Sequence, residues 1–564
     1  MKKKNRIWIY SLILIGFVLI LNNSCKRGDT ICNPIISKVY TTLDRTVIPV
    51  PVPTLPVSVL PFEISKFSQY GYGIWHYGPG LAFQKRLDIM PSSYSYTTVK
   101  NTANLLHFFT MTDIHIADKE SPAQMIYMGL TDSGSSSGYS PVVLYTTQVL
   151  DAAVRTVNAL HKENPFDFGI SLGDDCNNKQ YNELRWFIDV FDGKVINPDS
   201  GPKDDPIPGP GNDYQDEFQA QGLNKSIPWY QVFGNHDYLW MGSYPENDYL
   251  RQAHIGEDIL NLGDVFTDPL GADSRGFYMG VIDGSTRYGD IIGAGLVGSI
   301  IPPKVVADPN RRSLSRTEWM SEFFNTSSNP VGHGFTQANI DNDFDCYSFE
   351  PKSDVPIKVI VLDDQQRNDI FDVHAQGALD EERYQWLVSE LDKGQAEGKL
   401  MIVAAHLPLF LIGYNATNPY IDAKTLLEKL QTYPGYPNLI LWIAGHRHCN
   451  VVTVHKSPDE AHPELGFYEV ETSSLKDFPQ QFRTFEVDRN SDNTISIFAT
   501  DVDPAVENGS FAAISRSYAI AAQEIFISNQ QYFLPSGSYN AELVKQLSPE
   551  MQIKIQNYGK PIKK

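Results

Sequence analysis

Three polar residues able to bind a metal or move a proton follow directly on one apolar stretch. Residues 229–233 are mostly apolar and predict a buried strand. Gly234 ends this stretch, and Asn235, His236 and Asp237 come next. Glycine permits a sharp turn, and in α/β proteins ligands bind at the carboxyl ends of strands. Taken alone, the motif is more typical of an ordinary loop.

Four other apolar segments, at residues 105–111, 166–172, 400–405 and 439–444, end in the same way. The polar residues that follow them are Asp113 and His115; Asp174, Cys176 and Asn177; His406; and His446, Arg447 and His448. Five of the 13 histidines of the chain lie at these strand ends. Predicted helices separate the strands, as in βαβ units. We therefore expect one shared site at the edge of a parallel sheet.

Histidine, aspartate and asparagine together suit a centre with two divalent metal ions. Hydrolysis of a phosphate ester needs a strong nucleophile and neutralisation of the phosphoryl charge. Two cations about 3.5–4 Å apart supply both. The mixed ligand set favours Mn, Fe or Zn over Mg or Ca. The sequence thus predicts two divalent metal ions and a phosphate-ester substrate.

The motifs DxH, GDxxN, GNHD, H and GHxH, in this order over about residues 105–500, resemble those of the calcineurin-like metallophosphoesterase superfamily. The resemblance implies a four-layer α/β/β/α sandwich, here with a large insertion at about residues 238–351. It also implies hydrolysis of phosphate mono- or diesters by a metal-bridging hydroxide. The GNHD motif, the helix predicted at residues 377–394 and the HLP motif resemble the phosphodiesterase-like branch.

The resemblance also assigns roles to single residues. Asp113, His115 and His448 would hold one metal, Asn235, His406 and His446 the other, and Asp174 would bridge them. His236 would contact the phosphate or protonate the leaving oxygen, and Asp237 would orient His236. Arg447 would reach a phosphate oxygen or form a structural salt bridge. Residues 471–483 would form a loop beside the site.

Two other functions stay open at this point. The enzyme could be a more specific phosphodiesterase acting on nucleotides or phospholipid head groups. Alternatively, the chain could be a non-catalytic surface-binding lipoprotein, although the complete ligand set argues against this. Because the formal net charge is −21, binding of nucleic acid through the overall field is not expected. Nothing in the sequence indicates an oligomeric state.

The start of the chain is typical of an export signal. Four cationic residues among the first six precede an apolar run at residues 7–21, and Cys25 follows. This resembles a bacterial lipoprotein signal, although Asn22 replaces the usual leucine. We expect a signal peptide at residues 1–24, a lipid on Cys25, and a membrane-anchored protein facing the periplasm or cell surface. An uncleaved helical anchor is the alternative, but 15 residues are short for a span of about 20.

The length of 564 residues allows one large domain with insertions, or two to three domains. We expect a proline-rich tether at residues 25–62 and an N-terminal extension at 63–104. The phosphoesterase domain would cover residues 105–500, and a C-terminal extension at 501–564 would have helices at 541–547 and 550–556. Among five cysteines, Cys176 and Cys449 adjoin the motifs and could be buried thiols or a disulfide.

Overall fold

The structure is a computed structural model that describes residues 38–52, 59–130, 138–265, 276–367, 377–413, 420–529 and 538–562. Its strands are β1 Arg45–Pro49, β2 Trp75–Pro79, β3 Gln84–Arg86, β4 Asn101–Met111, β5 Phe168–Ser171, β6 Val195–Ile196, β7 Phe218–Gln219, β8 Trp229–Gln231, β9 Phe277–Ile282, β10 Ile291–Leu296, β11 Tyr347–Phe349, β12 Ile357–Val361, β13 Leu400–Ala404, β14 Leu439–Ala444, β15 Val451–His455, β16 Phe467–Glu471, β17 Phe482–Asn490, β18 Ile495–Val502, β19 Ala541–Lys545 and β20 Lys560–Pro561.

The helices of the same residues are α1 Ile64–Tyr70, α2 Ile126–Gly129, α3 Thr146–Glu163, α4 Tyr181–Asp192, α5 Asn235–Tyr238, α6 Asp248–Ile255, α7 Leu262–Val265, α8 Arg316–Glu322, α9 Gln337–Asp341, α10 Glu381–Ala396, α11 Ala423–Gln431, α12 Phe511–Asn529 and α13 Pro549–Ile555. No helix among them is both long enough and apolar enough to cross a membrane.

Two sheets carry the five motifs. The larger sheet has the order β3-β19-β18-β17-β4-β5-β8, with β20 paired to β4, and the smaller sheet has the order β11-β12-β13-β14-β16-β15. Strands β4, β5 and β8 run parallel, as do β12, β13, β14 and β16. In each sheet, the parallel strands therefore end at a common edge.

The two sheets pack face to face. Side chains alternate along a strand, and on β12 the residues Val359 and Val361 join Phe108 and Phe485 of the larger sheet in one core. Ile360 points the other way and packs in a second cluster with residues of α10 and α11. Helices α3 and α4, which join β4 to β5 and β5 to β8, pack into the first core. The predicted α/β/β/α sandwich is confirmed.

The insertion is only partly separate from this sandwich. Strands β9 and β10 form a two-stranded sheet of their own. However, Trp319, Phe323 and Tyr347 are buried in the main core, and β11 pairs with β12 at the edge of the smaller sheet. The last part of residues 238–351 thus supports the sandwich and does not form a cap.

The helix predicted at residues 541–547 is wrong. The segment is strand β19, which is fully buried and pairs with β18 in the larger sheet. The short segment AELVK fits either periodicity, so its partner strand decides the conformation. The helix predicted at residues 550–556 is confirmed as α13. The C-terminal segment therefore completes the sheet.

The predicted tether differs from the structure where residues are described. Strand β1 pairs with β2, the hydroxyl of Thr42 donates to the carbonyl of Asp501, and Val59 is buried. Proline is tolerated at the end of an edge strand, where no ladder donor is required. The described residues of this segment thus contact the domain, while residues 1–24, predicted as a signal peptide, and Cys25 lie outside the described residues.

Candidate metal centre

The seven predicted metal ligands meet where the parallel strands of the two sheets end. Asp113 and His115 follow β4, Asp174 follows β5, Asn235 follows β8, His406 follows β13, and His446 and His448 follow β14. All but His446 and His448 are buried, and these two are partly buried. Residues more than 300 positions apart in sequence thus share one site.

The first group of ligands comprises Asp113, His115 and His448, as predicted. The Nε2 atoms of His115 and His448 lie 3.2 Å apart. Asp113 Oδ1 lies 3.2 Å from His448 Nε2 and 3.9 Å from His115 Nε2. Three ligand atoms at these separations surround a position within bonding distance of one transition metal ion.

The second group comprises Asn235, His406 and His446. Asn235 Oδ1 lies 2.9 Å from His406 Nε2 and 3.1 Å from His446 Nδ1. The Nδ2 atom of Asn235 donates to the carbonyl of Gly242 at 2.9 Å, which turns the amide oxygen toward the histidines. His406 Nδ1 donates to the carbonyl of Leu172, which leaves Nε2 for a metal.

Asp174 belongs to both groups. Its Oδ2 atom lies 3.7 Å from His115 Nε2 and 3.4 Å from His406 Nε2. Its other oxygen accepts a hydrogen bond from the backbone N–H of His236 at 2.8 Å. Burial opposes ionisation, but His406 and His236 hold the pKa of Asp174 well below its usual range. Its carboxylate is thus placed to bridge two cations.

The residues present fit two metal ions on three further observations. Asp113 Oδ1 is buried and has no hydrogen-bond partner. Burial disfavours charge on His448, yet Asp113 and Asp477 raise its pKa to about 10. In the same way Asp174 outweighs burial and raises the pKa of His406 to about 10. The electric field in both groups therefore favours a cation.

The backbone is strained at five of the seven predicted ligands. The φ angles are 50° at Asp113, 48° at His115, 55° at Asp174, 72° at His446 and 55° at His448. Residues with a Cβ adopt this left-handed region rarely, and such strain clusters at functional sites. The left-handed conformation places these ligand side chains at the start of each turn. An extended backbone would direct the same side chains elsewhere.

His236 lies beside both groups. Its Nδ1 atom donates to the carbonyl of Asn177 at 2.6 Å, and its ring centroid is 4.5 Å from that of His115. Burial lowers the pKa of His236. Because a carbonyl only accepts, Nδ1 carries a proton and Nε2 is the nitrogen available to a substrate.

The prediction that Asp237 orients His236 is wrong. The carboxylate of Asp237 accepts hydrogen bonds from the backbone N–H groups of Asp174, Asp175, Cys176 and Gly234, at 2.9, 3.1, 3.1 and 3.0 Å. Adjacent side chains on a helical turn do not face each other, and α5 is such a turn. Asp237 therefore fixes the backbone that carries Asp174.

Arg447 forms the salt bridge that was one of its two predicted roles. Its guanidinium donates to both carboxylate oxygens of Glu471, each at 2.6 Å, and lies 4.8 Å from the ring centroid of Phe410. The Arg447 side chain is 35% exposed, so the salt bridge lies partly at the surface. A contact with phosphate stays a prediction.

Two residues of the site were not singled out from the sequence. Asp477 Oδ2 lies 2.6 Å from His448 Nδ1 and orients that ring, and buried Lys476 donates to Asn177 Oδ1 at 3.1 Å. Both belong to residues 471–483, the segment predicted to lie beside the site. The resemblance indicated that segment, but no spacing rule identified these two positions.

Cys176, Cys346 and Cys449 are buried free thiols. The alternative of a disulfide between Cys176 and Cys449 is therefore wrong. Burial, with Asp237 nearby, raises the pKa of Cys176 well above its usual range. Such a thiol is a poor nucleophile and packs as a small apolar group.

The chain matches no family model and no curated protein. A dimetal phosphatase from Danio rerio is 11% identical, with a TM-score of 0.35 over 71% of this chain and 100% of that one. A candidate 5′-nucleotidase from Staphylococcus aureus, in complex with α-ketoglutarate, is 11% identical, with a TM-score of 0.30. It aligns over 73% of this chain and 57% of its own length.

Similarity at this level carries no argument about what this chain does. What this chain does is inferred from the positions of its own residues. The four-layer fold and the gathering of five motifs at one edge are those that the resemblance to calcineurin-like metallophosphoesterases predicted.

Proposed function

We propose that the protein is a metal-dependent phosphoesterase that hydrolyses phosphate mono- or diesters at a dinuclear centre. The observation that carries this proposal is the position of Asp174 Oδ2, 3.7 Å from His115 Nε2 and 3.4 Å from His406 Nε2. One carboxylate oxygen between two groups of ligands is the arrangement that a pair of bridged metal ions requires.

Each residue then has a defined task. Asp113, His115 and His448 would hold one ion, Asn235, His406 and His446 the other, and Asp174 both. When bound, such ions neutralise phosphoryl charge and lower the pKa of water. Mn, Fe and Zn suit this mixture of nitrogen and oxygen ligands. The protein itself orients the ligands: Asp477 turns His448, Gly242 turns Asn235, and Leu172 turns His406.

His236 is the proton donor of this proposal. Its Nδ1 proton is held by Asn177, so His236 can act as an acid only in the form that also carries a proton at Nε2, the form that burial disfavours in the free protein. Its backbone N–H is tied to Asp174 Oδ1, which fixes the ring relative to the bridging carboxylate. Proton delivery and metal binding are thus set by one helical turn.

A specific phosphodiesterase acting on nucleotides or phospholipid head groups is the second candidate. The GNHD motif and its position beside the ligands favour a phosphodiesterase-like branch. A non-catalytic lipoprotein is disfavoured because all seven ligand side chains are present and converge.

We also propose that the protein is exported and lipid-anchored through Cys25. The cationic start, the apolar run and the cysteine support this. Mass spectrometry of the membrane fraction would show a lipidated N-terminal Cys25. A Cys25→Ser variant that stays membrane-bound with residues 1–24 intact would instead indicate an uncleaved anchor.

The proposed activity is tested by a screen of 4-nitrophenyl phosphomonoesters and bis(4-nitrophenyl) phosphate with added Mn²⁺. We expect hydrolysis of at least one class and loss of that activity with a chelator. Absence of hydrolysis in protein shown to contain two metal ions would contradict the proposal.

A further inference from the structure

Lys476 is a buried lysine within the site, and it has no assigned role. The side chain is 1% exposed. Taking an ammonium group out of water costs several kcal/mol, roughly, unless it is well paired. A lysine in this position therefore needs contacts that compensate for burial, and those contacts indicate what it does.

The backbone of Lys476 is fixed against the first ligand turn. Its N–H donates to the carbonyl of Asp113 at 3.3 Å and to Ser474 Oγ at 2.8 Å. Ser474 Oγ in turn donates to the same Asp113 carbonyl at 2.7 Å. The backbone from which the Lys476 side chain extends is thus held against the turn that carries Asp113.

The ammonium group ends on Asn177. Lys476 Nζ donates to Asn177 Oδ1 at 3.1 Å, and Asn177 Nδ2 donates to Gln124 Oε1 at 2.9 Å. The backbone N–H of Asn177 donates to the carbonyl of Ile116 at 2.9 Å. Side chain and backbone of Asn177 are therefore both held, and its carbonyl oxygen has a fixed position.

That carbonyl oxygen is the acceptor for His236 Nδ1 at 2.6 Å. Lys476 is thus two contacts away from the imidazole that we propose as the acid. On the opposite side the ring is confined by Gly242, where a Cβ would lie 2.2 Å from His236 Cδ2. Ring position and tautomer are both determined by groups outside the metal ligands.

We propose that Lys476 is a positioning residue which, through Asn177, holds His236 with Nε2 toward the leaving oxygen of the substrate. The inference rests on the proposed phosphoesterase activity. Its consequence concerns the leaving group: nitrophenolate leaves without a proton, whereas phenolate benefits from one. A residue that positions the acid should matter more for the phenyl ester than for the 4-nitrophenyl ester.

The test compares full-length wild type with Lys476→Met on the 4-nitrophenyl and phenyl esters of the same phosphate. We expect kcat on the phenyl ester to fall about 10–100-fold, with a much smaller loss on the 4-nitrophenyl ester and unchanged metal content. Lys476→Gln keeps a donor for Asn177 and should restore most of the phenyl-ester rate. In a His236→Ala background, Lys476→Met should cause no further selective loss.

Lys545→Met is the matched control. Lys545, on strand β19, is also fully buried, and its Nζ atom donates to the carbonyls of Glu464 and Gly466. In the larger sheet, β18 and β17 separate β19 from β4. The Lys545→Met substitution should lower the stability of the protein without changing the ratio of kcat on the phenyl ester to kcat on the 4-nitrophenyl ester. An equal loss of kcat on both esters in Lys476→Met, or a loss of bound metal, would overturn the inference about Lys476 and leave the proposed function standing. A metal-loaded wild type that cleaves neither ester would overturn the proposed function as well.

Discussion

His115 and His448 direct their Nε2 atoms at each other across 3.2 Å, and both residues have left-handed backbone. Two imidazole nitrogens this close need a proton or a metal ion between them, since their lone pairs would otherwise repel. Asp113 Oδ1, 3.2 Å from His448 Nε2, supplies the negative partner. A metal ion at this position would be bound by both nitrogens and by the carboxylate.

Removing the bridge should abolish activity. In Asp174→Asn a neutral amide would face two cations, so the bridging charge is lost. We expect hydrolysis of bis(4-nitrophenyl) phosphate, or of whichever ester the screen identifies, to fall by roughly 10³-fold or more. Full activity of this variant, measured at saturating Mn²⁺, would show that the carboxylate does not bridge metals in the active enzyme.

Asn235 and His236 are neighbours in sequence with different expected roles. Asn235→Ala should lose both metal and rate, because its Oδ1 atom is a ligand. His236→Ala should retain both metals and lose about 10²–10⁴-fold in kcat. Metal content and kcat measured on the same samples separate the two. Equal loss of metal in both variants would contradict this division.

Gly242 should tolerate no side chain. Its φ is +66°, and an added Cβ would lie 2.2 Å from His236 Cδ2 and 2.4 Å from Asn235 Nδ2. Gly242→Ala should therefore reduce metal affinity about 10–100-fold by displacing Asn235. Gly298→Ala is the control, since φ there is +86° with nothing within 4 Å of an added Cβ. Equal metal affinity of the two variants would argue against a role for Gly242.

His333 should make stability depend on pH. It stacks on Trp229 with ring centroids 3.5 Å apart, and burial lowers its pKa from 6.5 to about 4. Between these values the unfolded chain binds more protons, so its stabilising contribution is complete above pH 6.5 and is lost as pH falls toward 4. The expected difference is on the order of 3 kcal/mol.

His333→Phe keeps an aromatic ring on Trp229 but does not titrate. Denaturant unfolding of wild type and variant at several pH values should show a shallower decline of the free energy of unfolding in the variant between pH 6.5 and 4. Parallel curves would mean that His333 is not buried in its neutral form.

The metal centre could be predicted from sequence because it depends on where strands end. An apolar run followed by Asp, His or Asn marks a sheet edge, and five such marks identify one site. What could not be predicted depends on local geometry. The role of Asp237 follows from the helical turn of α5, and nothing in the letters GNHD distinguishes that turn from a loop.

The same reasoning applies to the fold. The parallel strands and their helices have clear periodicities, and β14 begins and ends as predicted. Strand β19 could not be predicted, since the five residues AELVK are too few to separate the helical from the extended periodicity, and the neighbouring strand decides the conformation. Lys476 could not be identified either, because its contact with Asn177 joins residues 299 positions apart.

The most direct test of the dinuclear centre is the metal content of the folded protein. Purified chain, reconstituted with Mn²⁺ and freed of excess metal, should contain about two ions by elemental analysis, and Asp174→Asn should contain fewer. Stoichiometry should rise in parallel with ester hydrolysis during reconstitution. A folded wild type that is fully active with no bound metal, or with one ion only, would contradict the proposal that Asp174 bridges two cations.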